Sequence, residues 1–155
     1  MPRVAFDLHT VLPAERILAM LTDFSERRPA LWPTLAPELY EVYDVSAASA
    51  DVKEGSLKPI LIWERDHYDW SIPGRVRWTV RESNYCTCGS FVEATIRHAA
   101  DGGASVHVEW NRTGVGLKGK ALIARVVLSR GAIIRRKVFK AAFDRAAQKY
   151  QGNGG

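Results

Sequence analysis

Residues 120–150 carry one long helical pattern, and they follow a series of short segments in which apolar and polar residues alternate. That order constrains the fold more than any other feature of the chain. Strands joined by short hairpins pair antiparallel, and the apolar face of such a sheet has to be covered. The C-terminal helix is the one element long enough to cover it. The expected architecture is therefore α+β. A curved antiparallel sheet of six or seven strands wraps around a long C-terminal helix, with one or two short helices after the first strand.

The segments are legible one by one. Residues 3–11 set Val4, Phe6 and Leu8 against Arg3, Asp7 and His9, the period of a half-buried strand. Pro13 then opens a helix with Ile17, Leu18 and Leu21 on one face. Residues 25–37 hold three prolines, which allow one short helix and then a turn. Residues 39–45 read as a strand, 46–58 as a loop or hairpin, and 60–70 as a β-branched and aromatic strand. Residues 75–82 alternate again, with Val76, Trp78 and Val80 on one side. Segments 91–98 and 105–112 are two more strands, joined through Asp101-Gly102-Gly103, a hairpin signal. With 155 residues, the chain has length for one core. Residues 1–150 are expected to form a single domain and 151–155 a flexible tail.

The N-terminal apolar residues are interrupted by Arg3, Asp7 and Glu15, so no secretory signal core is expected. No uncharged apolar run reaches the length of a membrane span. Cys86 and Cys88 are separated by one residue and do not staple distant parts of the chain. These features together predict a cytoplasmic protein. The four histidines are scattered, and neither they nor the cysteines have metal-ligand spacing. No nucleophile elbow, Walker loop or dinucleotide fingerprint occurs. No cofactor, no metal and no catalytic residue are assigned.

Several local motifs go together. Leu12-Pro13-Ala14-Glu15 closes the first strand, followed by Ile17 and by Leu21-Thr22-Asp23-Phe24. Trp32-Pro33 follows the short second helix. Phe91-Val92-Glu93-Ala94-Thr95-Ile96, Asp101-Gly102-Gly103 and the segment from Val106 to Trp110 form the last hairpin. In element order and in these motifs the chain resembles the START-like superfamily, also called helix-grip, Bet v 1-like or SRPBCC. Its bacterial polyketide cyclase/dehydrase and lipid-transport branch is the nearest likeness. The resemblance covers nearly the whole chain. It implies a cavity between sheet and long helix that takes a lipid, sterol, hormone or polyketide. Some members only carry the ligand; the aromatase/cyclases process it.

The concave face receives Val4, Phe6, Leu8, Val76, Trp78, Val80, Val92, Ala94, Ile96, Val106, Val108 and Trp110 by strand parity. Of these, Trp78, Val80, Ala94, Ile96, Val108 and Trp110 are taken as ligand-contacting candidates. In the 60–70 strand, the register that turns Ile62 inward also turns in Glu64 and Tyr68, and an inward carboxylate needs a partner. Trp32 completes the wall. On the long helix Val127, Ile134 and Val138 fall on the apolar arc of a 100° wheel, and Arg135 intrudes into that arc near mid-helix. Arg135 is a candidate contact for a ligand carboxylate. A small-molecule site of roughly 300–1,000 Å³ is the common range.

The formal charge of +5 is unevenly placed. Residues 118–150 hold ten Lys plus Arg and one acid, Asp144, for +9; the remainder is −4. Arg125, Arg130, Arg136, Lys137 and Lys140 lie on the outer arc, with Leu122, Val126 and Ile133 among them. Three readings follow. The first is binding or transport of a hydrophobic small molecule or lipid. The second is a polyketide aromatase/cyclase-like enzyme using Trp32, Glu64, Tyr68 or Arg135. The third is docking of the basic helix on an anionic membrane or acidic partner. No nucleic-acid-binding motif is present, and no nucleic acid is expected as a partner.

Overall fold

The computed structural model describes residues 3–128 and 131–153, with side chains to residue 149. The elements run β1 (Arg3–Thr10), α1 (Ala14–Leu21), α2 (Arg28–Leu31), a single 3-10 turn at Pro37–Leu39, β2 (Glu41–Val45) and β3 (Ser49–Ser56). They continue with β4 (Ile62–Asp69), β5 (Arg75–Ser83), β6 (Phe91–His98), β7 (Ala104–Asn111), α3 (Gly116–Leu128) and α4 (Gly131–Asn153). Arg130 and the Tyr150 side chain lie outside the described residues, as do the last two residues of the expected tail.

Seven strands form one antiparallel sheet in the order β1-β7-β6-β5-β4-β3-β2. The seventh strand comes from residues 49–56, within the segment expected as loop or hairpin. Its inward residues Ala50 and Val52 are buried, and Glu54 takes the next inward position. A charged residue on the inner face hides the alternation by which such a strand is recognised. Residues 84–90 contribute only a lone bridge between Cys86 and Gly114.

The inner face is packed as strand parity predicts. Val4, Phe6, Leu8, Val76, Trp78, Val80, Val92, Ala94, Ile96, Val106, Val108 and Trp110 are all buried. Register shifts between Val42 and Asp44 and between Arg65 and Asp66 break the regularity of the β2–β3 and β4–β5 pairs. Such bulges bend and twist a strand; the second lies beside the inward carboxylates of β4.

The C-terminal pattern folds as two helices. An ideal Cβ on Gly131 would sit 1.9 Å from the Val126 carbonyl oxygen, so only glycine fits this close approach. Ile123 is the buried apolar residue of α3, while Phe139, Ala142 and Phe143 are buried on α4. Ile123 and Phe139 fall about 160° apart on one continuous wheel. A single helical phase therefore cannot describe both, which explains two corrections. Val127 and Ile134 are exposed on the outer side instead of facing the sheet. Conversely, Leu122 and Val126 pack partly against the core.

The helix covers only part of the sheet. Seven strands at about 4.8 Å spacing span about 29 Å, whereas a helix with side chains is about 10 Å wide. α4 lies along β1 and touches α2. Arg136 Nε donates to the Asp7 carbonyl at 3.0 Å, and Arg145 Nη1 to the Ala30 carbonyl at 3.1 Å. The β3–β5 half of the concave face is left for something else to fill.

Candidate functional site

That remaining half is a cavity of about 160 Å³ that opens to solvent on one side. Its floor comes from β3, β4 and β5 with Val92 of β6 and Trp110 of β7, one wall from α4, and another from α2 and the segment after it. The lining includes Trp32, Ile62, Glu64, Tyr68, Trp78, Trp110, Arg135 and Val138. The cavity thus brings together eight of the residues singled out from sequence. Val80, Ala94, Ile96 and Val108 do not reach it. They are buried among other side chains of the core. Val127 and Ile134 are excluded by the helix phase described above. The cavity is also smaller than the common range for ligand sites.

The residues that sequence reasoning missed include three charged ones, Arg28, Glu54 and Arg112. Arg28, Glu54, Tyr85, Arg112 and Phe139 also line the cavity. Arg28 sits on the four-residue α2 and is buried. Its Nε and Nη2 donate to Glu54 at 3.2 and 3.4 Å, its Nη1 to the carbonyls of Leu21 and Asp23 at 3.1 Å each, and its Nη2 to the Tyr68 hydroxyl at 3.2 Å. The Tyr68 hydroxyl in turn donates to Glu54. Burial, followed by the Glu54 carboxylate, pushes the Tyr68 hydroxyl well above the usual phenol range.

A second pair lies next to the first. Arg112, just past the end of β7, grips Glu64 with both terminal nitrogens; the Nη2–Oε1 distance is 2.6 Å. The Tyr85 hydroxyl donates to the same carboxylate at 2.9 Å. A bidentate guanidinium–carboxylate pair fixes direction as well as charge. Asp66, two residues along β4 on the same face, is 1% exposed, and neither of its carboxylate oxygens has a hydrogen-bond partner. Burial first, and the Glu64 carboxylate second, push its carboxyl well above the ordinary range.

The remaining walls are aromatic. Tyr68 stacks on Trp78 with ring centroids 5.3 Å apart, and Trp78 on Phe139 at 6.3 Å. Trp32 meets Phe139 edge-on at 5.1 Å. Trp32 Nε1 is buried without a hydrogen-bond partner. The whole is an aromatic chamber with two internally neutralised ion pairs in its floor. It is chemically suited to hold an apolar body and to orient a polar group.

Elsewhere, each histidine lies beside a carboxylate near the surface: His9–Asp101, His67–Asp51, His98–Glu15 and His107–Asp7. Among the described residues no group of three His, Cys, Asp or Glu side chains is placed to hold a metal. A groove of about 300 Å³ on the sheet's outer face is lined by the polar residues Asp7, Thr95, Arg97, Ser105 and His107. Among the described residues no helix is long and apolar enough to cross a membrane.

The sequence matches no protein-family model and has no significant match among curated proteins. Solved structures do match over the full chain. The Zhui aromatase/cyclase from Streptomyces sp. R1128 superposes with a TM-score of 0.79 at 11% identity, covering 99% of this chain and 98% of its own. A START superfamily protein from Mycobacterium smegmatis gives 0.72 at 11% identity, over 94% and 97% of the two chains. A protein from Thermus thermophilus gives 0.77 at 13% identity, over 96% and 99%. With its seven-stranded antiparallel sheet, C-terminal helix and full-length superposition on these structures, the chain has the START-like, helix-grip fold.

Proposed function

We propose that this protein binds a hydrophobic small molecule or lipid in the cavity between the sheet and α4, and acts as a carrier or sensor in the cytoplasm. The observation that carries this reading is an aromatic-lined cavity kept open inside an otherwise close-packed core. An engineered apolar cavity of about 150 Å³ takes up benzene, so this one suits a single ring or a short chain, with a larger body emerging through the open side. Members of the same fold that bind apolar ligands make the reading consistent with the resemblance. Both cysteines are free thiols, as suits a reducing compartment. Native mass spectrometry of the gently purified protein tests it, together with thermal unfolding in the presence of indole. A co-purifying apolar mass, or a rise in Tm with indole by mass action, is expected. An empty protein whose Tm ignores indole overturns the reading.

Processing of a polyketide is supported less well. Each cavity glutamate is already held by an arginine. If Glu64→Ala or Tyr68→Ala abolished turnover of a poly-β-keto substrate, cyclisation would replace binding as the better reading.

Docking on an anionic membrane rests on a different observation. Leu117, Leu128, Ile133 and Ile134 are exposed on the helices that also carry exposed Lys118, Lys120 and Lys137. Phosphatidylserine vesicles should then retain the protein at low salt and release it as ionic strength rises. Retention that ignores salt, or no retention, counts against this docking.

A further inference from the structure

Five charged side chains line the cavity: Arg28, Arg112 and Arg135 against Glu54 and Glu64. Two of the arginines are matched. Arg28 bonds Glu54 and Arg112 bonds Glu64. Arg135, on the α4 wall, is not. Among the described residues no carboxylate bridges to it, and its Nε is buried with no hydrogen-bond partner.

Arg135 is also held in place. Its guanidinium lies 5.2 Å from the centroid of the Trp110 ring, and the Arg112 guanidinium lies 5.6 Å from the same ring. One indole therefore serves two cations, of which one has a counter-ion. Cation–π contact holds a guanidinium without neutralising it. An unpaired charge facing a low-dielectric cavity is costly, and the site has one positive charge in excess. Burial works against this guanidinium and lowers its pKa. Asp66, the other acid of this face, does not line the cavity.

We propose that the ligand is an organic acid, with its apolar body between Trp32, Trp78 and Phe139 and its carboxylate on Arg135. This inference rests on the binding role proposed above and adds the chemical class of the ligand. A carboxylate on a guanidinium makes a charge-assisted, bidentate contact that an amide cannot reproduce.

The test uses the full chain and two probes of matched shape, 3-phenylpropionate and 3-phenylpropanamide, titrated by calorimetry. The wild-type protein should prefer the acid by about tenfold or more, as for a hydrogen bond to a charged group. Arg135→Gln should bring the acid-to-amide ratio close to one, while Arg135→Lys should keep part of the preference. Lys137→Gln, exposed on the same helix, should retain the full ratio and controls for general loss of helix charge. Equal affinity of the wild-type protein for acid and amide, or a preference that survives in Arg135→Gln, overturns this inference and leaves the binding role standing. If neither probe binds at millimolar concentration, the binding role itself falls, and this inference with it.

Discussion

Glu54 and Glu64 are directly opposite each other in the β3–β4 pair, and each is held by an arginine that comes from outside those two strands. Like charges facing across a sheet repel. Here the repulsion is relieved because Arg28 approaches from α2 and Arg112 from beyond β7. The arrangement ties α2 to the sheet on one side and the end of β7 to it on the other. It also leaves both carboxylates at the floor of the cavity.

Removing one partner exposes how much the pair matters. Arg112→Met leaves the Glu64 carboxylate nearly buried with only the neutral Tyr85 hydroxyl and Cys86 thiol as donors. Breaking a buried pair in this way costs about 3–5 kcal/mol. Urea unfolding should show the midpoint falling accordingly, and Glu64→Gln in the same chain should recover part of the loss. A midpoint unchanged in Arg112→Met would mean that the pair contributes nothing.

Asp66 makes stability depend on pH. Its carboxyl is pushed up in the folded state by burial and by Glu64, whereas the unfolded chain has the ordinary value of about 3.9. Between those two values the folded protein keeps a proton that the unfolded chain releases. Stability from this group is therefore full below the unfolded value and is lost as pH rises toward the folded one. Asp66→Asn should flatten the decline and raise the Tm at neutral pH. An unchanged pH profile in this variant would count against the protonated form.

The two thiols should differ in reactivity. Cys86 is buried, and burial pushes its thiol up; Cys88 is exposed. Since the thiolate is the reactive form, iodoacetamide on the native protein should add one label, at Cys88. Peptide mapping that finds both labelled at similar rates would show that the Cys86 loop opens readily.

Phe139 both closes the core and limits the cavity. It meets Phe6, Trp32, Trp78 and Phe143. Phe139→Ala should cost about 3–5 kcal/mol and open the chamber by the volume of a ring. Calorimetry should then show 2-naphthoate gaining affinity relative to 3-phenylpropionate. A loss of both in parallel would place the ligand elsewhere.

Gly119 marks where α3 docks. A Cβ there would sit 2.2 Å from the Tyr85 carbonyl oxygen, so the backbone has to move to admit one. Gly119→Ala should cost about 1–3 kcal/mol despite the better helix propensity of alanine. A more stable variant would show that the contact yields easily.

The amino-acid order alone determined a good deal. Alternation in β1, β5, β6 and β7 assigned twelve residues of their inner faces, because a period of two admits only two registers and one of them buries charge; it missed Thr10 and Ala104 at the strand ends. In β4 either register turns ionisable groups inward, and the register that puts Ile62 inside brought Glu64 and Tyr68 to the cavity. What only tertiary structure decided were the partners and the limits. Arg28 on a four-residue helix and Arg112 at a strand end carry no local sign of burial; their carboxylates lie 26 and 48 residues away along the chain. The buried residues of α3 and of α4 lie on different sides of one helical wheel, and Val127 and Ile134 are exposed. The packing of the helices on the sheet left a cavity lined by residues of β3 to β7 and buried Val80, Ala94, Ile96 and Val108 out of reach of it. Periodicity reports which side of an element is apolar, but where one element lies on another is set by packing among residues distant in sequence.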